Sequence, residues 1–201
     1  MPITRRLLIA AAAALPSLHA ARAQDADSRM ADRSMGSVDA KVRVTEWFSL
    51  TCSHCAAFQK ETFPQIRANL IDAGRVLYVW RDYPLDQVAL TAAMVARALP
   101  AERYEPFISA LLASQDRWAF ARGVNATEEL AKMAALAGMS RDTFNLSIGD
   151  AKLKQAILAA QDEAEKRDKV TSTPTFIING KPLPGAVPYP EFVKAVDAAA
   201  A

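Results

Sequence analysis

Ser49-Leu50-Thr51-Cys52-Ser53-His54-Cys55 holds both cysteines of the 201-residue chain, with a histidine between them. A run of strand character, Lys41 to Phe48, leads into this stretch, and a helix-compatible run, Ala56 to Glu61, leaves it. That order predicts Cys52 at the mouth of a helix, where the first backbone N–H groups lack intrahelical partners and the helix dipole is positive. A thiolate is stabilised there over the neutral thiol, so the pKa of Cys52 is expected below the free value of about 8.5. His54, when protonated, pushes the same way. Cys55 lies one turn further on and faces the same side, so the pair can close a disulfide if the Cα atoms come within about 7 Å. Cys55 is expected to be the more buried partner. Stabilising the Cys52 thiolate favours the reduced pair and makes the oxidised pair a stronger oxidant, by roughly 30 mV for every ~1.4 kcal/mol.

Two other chemistries compete for a Cys-x-x-Cys pair. Structural zinc needs about four protein ligands and catalytic zinc about three. The chain has no third cysteine and only one other histidine, His19, so metal and cofactor are expected to be absent. A purely structural bridge across so short a loop removes little unfolded-state entropy. Redox exchange is the preferred reading.

The chain begins with Arg5 and Arg6, the apolar run Leu7 to Leu15, and the small-x-small triplet Ala21-Arg22-Ala23. This is the layout of a secretory signal peptide over residues 1–23, and the apolar run is well short of the roughly 18 residues of a membrane span. Thr4-Arg5-Arg6-Leu7-Leu8 is a looser match to a twin-arginine signal. Export into an oxidising compartment is what disulfide chemistry requires. The formal charge of +2 comes from 24 basic and 22 acidic residues, and three of the basic ones precede Gln24. The remainder is near neutral, which argues against a nucleic-acid or anionic-membrane surface. Polar Gln24 to Asp39 reads as a flexible lead-in.

Along Lys41 to Phe48 the two-residue period places Val42, Val44, Glu46 and Phe48 on one face, with Arg43, Thr45 and Trp47 on the other. A carboxylate on the apolar face is the anomaly. Beneath the cysteine pair, desolvation would raise the pKa of Glu46 and let it exchange a proton with Cys55; at a wet strand end it would be ordinary surface. After the motif, Pro64 is expected to bend the helix and Gly74 to end it. Arg75 to Arg81 reads as a second strand, parallel to the first, with the cysteines at the carboxyl end of the sheet. Asp86 to Lys169 reads as a block of helices, with periodic Leu90, Met94 and Ala98, then Phe107, Leu111 and Leu112, then Leu130, Met133, Leu136 and Ala137. Ser140 to Phe144 suggests a short helical turn, and Asp150 caps a longer helix ending at Arg167. Asn179-Gly180 between Thr175-Phe176-Ile177-Ile178 and Lys181-Pro182-Leu183 signals a two-residue hairpin, and Pro190-Glu191 opens a last helix.

Phe48 to Cys55 together with Thr173-Pro174-Thr175-Phe176-Ile177-Ile178-Asn179-Gly180 resembles the DsbA family of exported thiol:disulfide oxidoreductases, from about Ser37 to the end. The resemblance implies an α/β thioredoxin-like fold with an inserted helical domain: 40–84 and 169–201 form the thioredoxin-like part and 85–168 the insert. It implies that Cys52 forms mixed disulfides, that Cys55 resolves them, and that Glu46 is the buried acid six residues before the first cysteine. It further implies a cis-proline loop at Thr173-Pro174, where the Thr173 backbone pairs with substrate. The partners implied are newly exported, cysteine-containing polypeptides and a membrane quinone-coupled reoxidase of the DsbB type, with the protein acting as a monomer in the periplasm. This chain departs in having Ser53-His54 between the cysteines, where the best-known members have proline before the histidine, and Ser172 before the Thr-Pro pair. A disulfide reductase or isomerase is the nearest alternative, and the lack of room for an N-terminal dimerisation domain speaks against the isomerase. A metallochaperone and a redox-silent peptide-binding module are the alternatives of another class.

Overall fold

The computed structural model describes residues 27–201, so the predicted signal peptide lies outside the described residues. The sheet has five strands: β1 (Arg33–Met35), β2 (Val42–Phe48), β3 (Val76–Asp82), β4 (Thr175–Ile178) and β5 (Lys181–Pro184). Their spatial order is β1-β3-β2-β4-β5. β2 and β3 run parallel, and the other pairs are antiparallel. Between β2 and β3 the chain forms α1 (Ser53–Glu61) and α2 (Phe63–Ile66), the latter with Pro64 in its first turn and continuing as a π-helical turn to Ile71. Proline costs least there because its missing N–H would have had no intrahelical partner.

Between β3 and β4 lies the helical insert: α3 (Gln87–Ala98), α4 (Ala101–Ala113), α5 (Gln115–Trp118), α6 (Ala126–Leu136), α7 (Arg141–Ile148) and α8 (Ala151–Arg167). α9 (Tyr189–Ala200) closes the chain. Asn179 and Gly180 turn the β4–β5 hairpin with φ of 45° and 83°, the positive pair that matches the twist of the flanking strands. The Asn179 side chain also accepts from Arg43 N at 2.8 Å and donates to Lys41 O at 3.1 Å, tying the hairpin to the start of β2.

Alternation along β2 sends Val42, Val44 and Phe48 into the main core and Trp47 to the opposite face. In the main core Phe58 of α1, Phe176 of β4 and Phe192 of α9 form an aromatic cluster with centroids 4.6 to 6.1 Å apart. On the other face Trp47 and Ile177 pack with Ala164 of α8. The insert is joined to the sheet by a buried ion pair. Arg97 of α3, with no exposed surface, donates through Nε to Asp82 at the end of β3 at 2.6 Å, and Tyr104 of α4 donates to the other carboxylate oxygen at 3.2 Å.

Three expectations are corrected. Gln24 to Asp39 is not a loose lead-in throughout: Ser28–Met30 forms a 3-10 turn, and Arg33–Met35 pairs with β3. β3 would otherwise present an open edge, and a three-residue strand can satisfy it with backbone groups alone, whatever its polarity. Arg33 is held in place by donating to the carbonyls of Arg97 and Leu99 at 3.0 and 3.3 Å. The strand ends at Gly36, whose φ is 103° and where a Cβ would collide with the Val76 carbonyl. The turn expected at Ser140 to Phe144 is an eight-residue helix. Leu136, expected on the buried face of α6, is 91 % exposed.

Replacing Arg97 with alanine leaves Asp82 charged and buried without its counter-ion, which is expected to cost about 3–5 kcal/mol. Urea unfolding of R97A against the unaltered protein measures it.

Candidate active site

β2 ends at Phe48, and the chain turns through Ser49 to Cys52 before α1 begins. Cys52 is the N-cap of α1: its backbone is extended, and its sulfur accepts from Cys55 N at 3.4 Å. Cysteine here takes the place that serine, threonine or aspartate usually fills, and the unpaired first-turn N–H groups point at a sulfur. Cys52 keeps 7 % of its surface exposed and Cys55 none. Only the first sulfur can therefore meet an incoming thiol or disulfide. Both cysteines are free thiols in this structure.

The surroundings split the two thiols. The pKa of Cys52 is lowered to about 5, first by hydrogen bonding with the Cys55 thiol, then by Thr173 and the backbone N–H groups of Cys55 and His54, against the opposing effect of burial. Cys55 is pushed far up, chiefly by burial, then by its hydrogen bond to Cys52 and the charge of Glu46. The arrangement stores a thiolate at the one sulfur of the pair with any exposed surface and a protonated thiol behind it. His54 lies exposed at the helix start, and it supports the thiolate through its backbone N–H, where the sequence had pointed to its imidazole.

Glu46, expected either beneath the pair or on a wet strand end, is 2 % exposed. Burial raises its pKa to about 7, partly offset by the Tyr78 hydroxyl, which donates to Oε2 at 2.8 Å. The charge of Cys52 raises it further. The Thr173–Pro174 peptide bond is cis, and the Cys52 thiol donates to the Thr173 carbonyl at 3.3 Å. Two contacts hold this loop: Thr175 Oγ1 donates to Ser172 O at 2.7 Å, and Gly185 N donates to Pro174 O at 2.8 Å. The Thr173 hydroxyl is buried with no hydrogen-bond partner among the described residues, and as a nearby donor it favours the Cys52 thiolate.

Four residues that the sequence reading passed over complete the site. Gln115 of α5, buried in the insert, donates through Nε2 to the carbonyls of Leu50 and Cys52 at 2.9 and 3.0 Å. Thr51 donates to Asp86 at 2.7 Å, and Asp86 also caps α3. Tyr78 holds Glu46. No local pattern marks Gln115, because its partners are backbone carbonyls more than sixty residues away. Tyr78 was within reach of the sequence, since Tyr78 on β3 and Glu46 on β2 share a sheet face once the strands are paired in parallel. Among the described residues no group of three or more His, Cys, Asp or Glu side chains is placed to hold a metal ion.

A titration of the reduced protein followed by thiolate absorbance is expected to show one transition near pH 5. Because the folded pKa of Cys52 lies below its ordinary value of 9.0, its stabilising effect is complete above about pH 9 and is lost as pH falls through about 5. The stability of the reduced protein relative to the oxidised protein is therefore expected to rise across that window, as measured by denaturant unfolding of both forms.

A family model described as Thioredoxin matches residues 28–198. The crystal structure of Wolbachia pipientis alpha-DsbA1 superposes with a TM-score of 0.77 at 31% sequence identity, covering 85% of this chain and 92% of that one. BdbD from Bacillus subtilis, at 20% identity and a TM-score of 0.74 over 84% of this chain and 92% of its own, shares the fold. A Rickettsia bellii protein named "Putative protein-disulfide oxidoreductase" is 29% identical over 150 residues, 74% of this chain and 57% of that protein. The chain thus spans little more than half the length of such curated relatives. With the insert between β3 and β4, Cys52 of the cysteine pair capping α1 and the proline loop against it, the chain belongs to the DsbA family of thioredoxin-fold disulfide oxidoreductases.

Proposed function

We propose that this protein is an exported thiol:disulfide oxidoreductase that donates the Cys52–Cys55 disulfide to newly exported, cysteine-containing polypeptides. The observation that carries the reading is the difference between the two thiols, one at a helix N-cap with 7 % of its surface exposed and lowered to about 5, the other fully buried and pushed far up. A substrate thiolate attacks Cys52 of the oxidised pair. The Cys52–Cys55 bond breaks, Cys55 leaves and takes a proton from Glu46, and a mixed disulfide forms on Cys52. A second substrate thiolate attacks the substrate sulfur of that bond, and Cys52 leaves as the stabilised thiolate. The substrate is oxidised by two electrons and the protein is reduced.

Thr173 and Pro174 provide the adjoining surface, where the substrate backbone pairs with Thr173. Reoxidation falls to a membrane quinone-coupled protein of the DsbB type, in the periplasm, with this protein acting as a monomer. No metal or other cofactor takes part. Because the thiolate lowers the energy of the reduced form, the disulfide is an oxidising one.

Equilibration in glutathione buffers, with quantification of free Cys52 and Cys55, is expected to give a potential well above that of the glutathione pool. A value at or below the pool would mean a reductase. Cys52→Ala is expected to abolish exchange; retained function would mean a redox-silent binding module, and copurifying, chelator-sensitive metal a metallochaperone.

A further inference from the structure

We propose that Tyr78 is a positioning residue for proton transfer at this site: its phenol holds Glu46 as a carboxylate beneath the cysteine pair, ready to take the Cys55 proton. The inference rests on the reading of Cys52 and Cys55 as an exchanging pair. It adds a residue with no thiol chemistry of its own.

The strand register creates the contact. Tyr78 stands opposite Val44, and Glu46 stands opposite Trp80, so Glu46 and Tyr78 are diagonal neighbours on one face of the sheet, within reach of a long side chain. Tyr78 has no exposed surface, and its hydroxyl donates to Glu46 Oε2 at 2.8 Å. That is the one hydrogen bond the Glu46 carboxyl group receives among the described residues. The remaining walls are apolar: Trp80 on β3, Phe176 opposite Glu46 on β4, and Phe63 of α2, whose ring centroid lies 5.3 Å from that of Tyr78. α9 presents Phe192 and Val196 to the same core. The titratable groups that act on Glu46 are Tyr78 on β3, through its hydrogen bond, and Cys52 at the N-cap of α1 and Cys55 within it, through charge.

In such a wall a carboxyl group left alone stays protonated, because burial penalises its charge. A donor that bonds the carboxylate more strongly than the acid moves the balance back. Tyr78 is suited to this because burial keeps its own proton in place, far above the ordinary phenol range. It supplies a donor without adding a charge, and so leaves the Cys52 thiolate undisturbed.

The step in which this matters is the resolution of a mixed disulfide on Cys52. The Cys55 proton passes to the Glu46 carboxylate, and the Cys55 sulfur attacks Cys52 Sγ. The Cys52–Cys55 bond forms, the bond from Cys52 to the other sulfur breaks, and that sulfur leaves as a thiolate. In the opposite direction Glu46 returns the proton to Cys55 as it leaves.

Stopped-flow reaction of the reduced protein with the chromogenic aryl disulfide dithiobis-nitrobenzoate separates these events. The first thionitrobenzoate released reports attack by Cys52, and the second reports resolution by Cys55. In Tyr78→Phe the pH inflection of the second phase is expected to move up by about one pH unit, with resolution roughly tenfold slower below it. Glu46→Gln should remove that inflection, and adding Tyr78→Phe to it should change the second phase no further. A Tyr78→Phe profile that overlays that of the unaltered protein, or equal slowing with Glu46→Gln in place, overturns the proposal. A missing first phase in the unaltered protein would instead overturn the exchange reading. If Tyr78→Phe does not fold, carboxyl-carbon NMR of the glutamate-labelled, unaltered protein decides. A deuterium isotope shift at Glu46 from the Tyr78 hydroxyl supports the proposal, and its absence across the titration overturns it.

Discussion

The sulfur of Cys52 carries negative charge in a place almost closed to water, and the local structure is arranged around that requirement. Burial alone would keep the thiol neutral. The opposing donors come from the first turn of α1, from the Cys55 thiol behind it and from Thr173. None of these groups can move far without taking the others along, because Cys52 is at once the N-cap of the helix, the end of the turn after β2 and the neighbour of the proline loop. The same helix start holds Cys55 protonated in the core. One geometric fact, a cysteine at an N-cap, thus produces a thiolate with a sliver of accessible surface and a fully buried thiol together.

That geometry is braced from outside the thioredoxin-like part. Gln115 reaches from the insert to two carbonyls of the active-site turn, and Asp86 joins the same turn to the start of α3. The Arg97–Asp82 pair anchors α3 to the carboxyl end of β3, the end of the sheet where the cysteines lie. A buried pair of this kind is costly to break because either partner alone is an uncompensated charge. The insert therefore supports the turn that presents the sulfur as well as covering the sheet.

Legibility in the sequence followed the range of the interactions. The hairpin at Asn179-Gly180, the cap at Asp150 and the helix after Cys55 depend on residues a few positions apart and were readable, and the parallel β2–β3 pair followed from two strand-like runs with a helix between them. β1 was not, because a three-residue edge strand has no periodicity and its bonds go to a strand about forty-five residues on. Leu136 obeys the helical period and yet faces outward, since the period says which residues share a face without saying what lies against it. Glu46 was visible as an anomaly, but its burial had two readings until the strands were paired. For His54 the spacing pointed to the imidazole, and the backbone N–H of that residue is a further group that favours the thiolate.

By itself the sequence determined where the candidate reacting atoms lie: two cysteines one helical turn apart, at the junction of a strand and a helix, with a carboxylate six residues upstream. These are consequences of local geometry, and the period of a strand and the open N–H groups of a helix start are enough to derive them. Only the tertiary structure decided how those atoms are tuned. The Thr173 carbonyl at Cys52, the Tyr78 hydroxyl at Glu46 and the Gln115 amide at the turn are each brought in from distant parts of the chain. Desolvation, which raises Glu46 and Cys55, is likewise a property of the assembled core, because a side chain loses its water only when other elements pack over it.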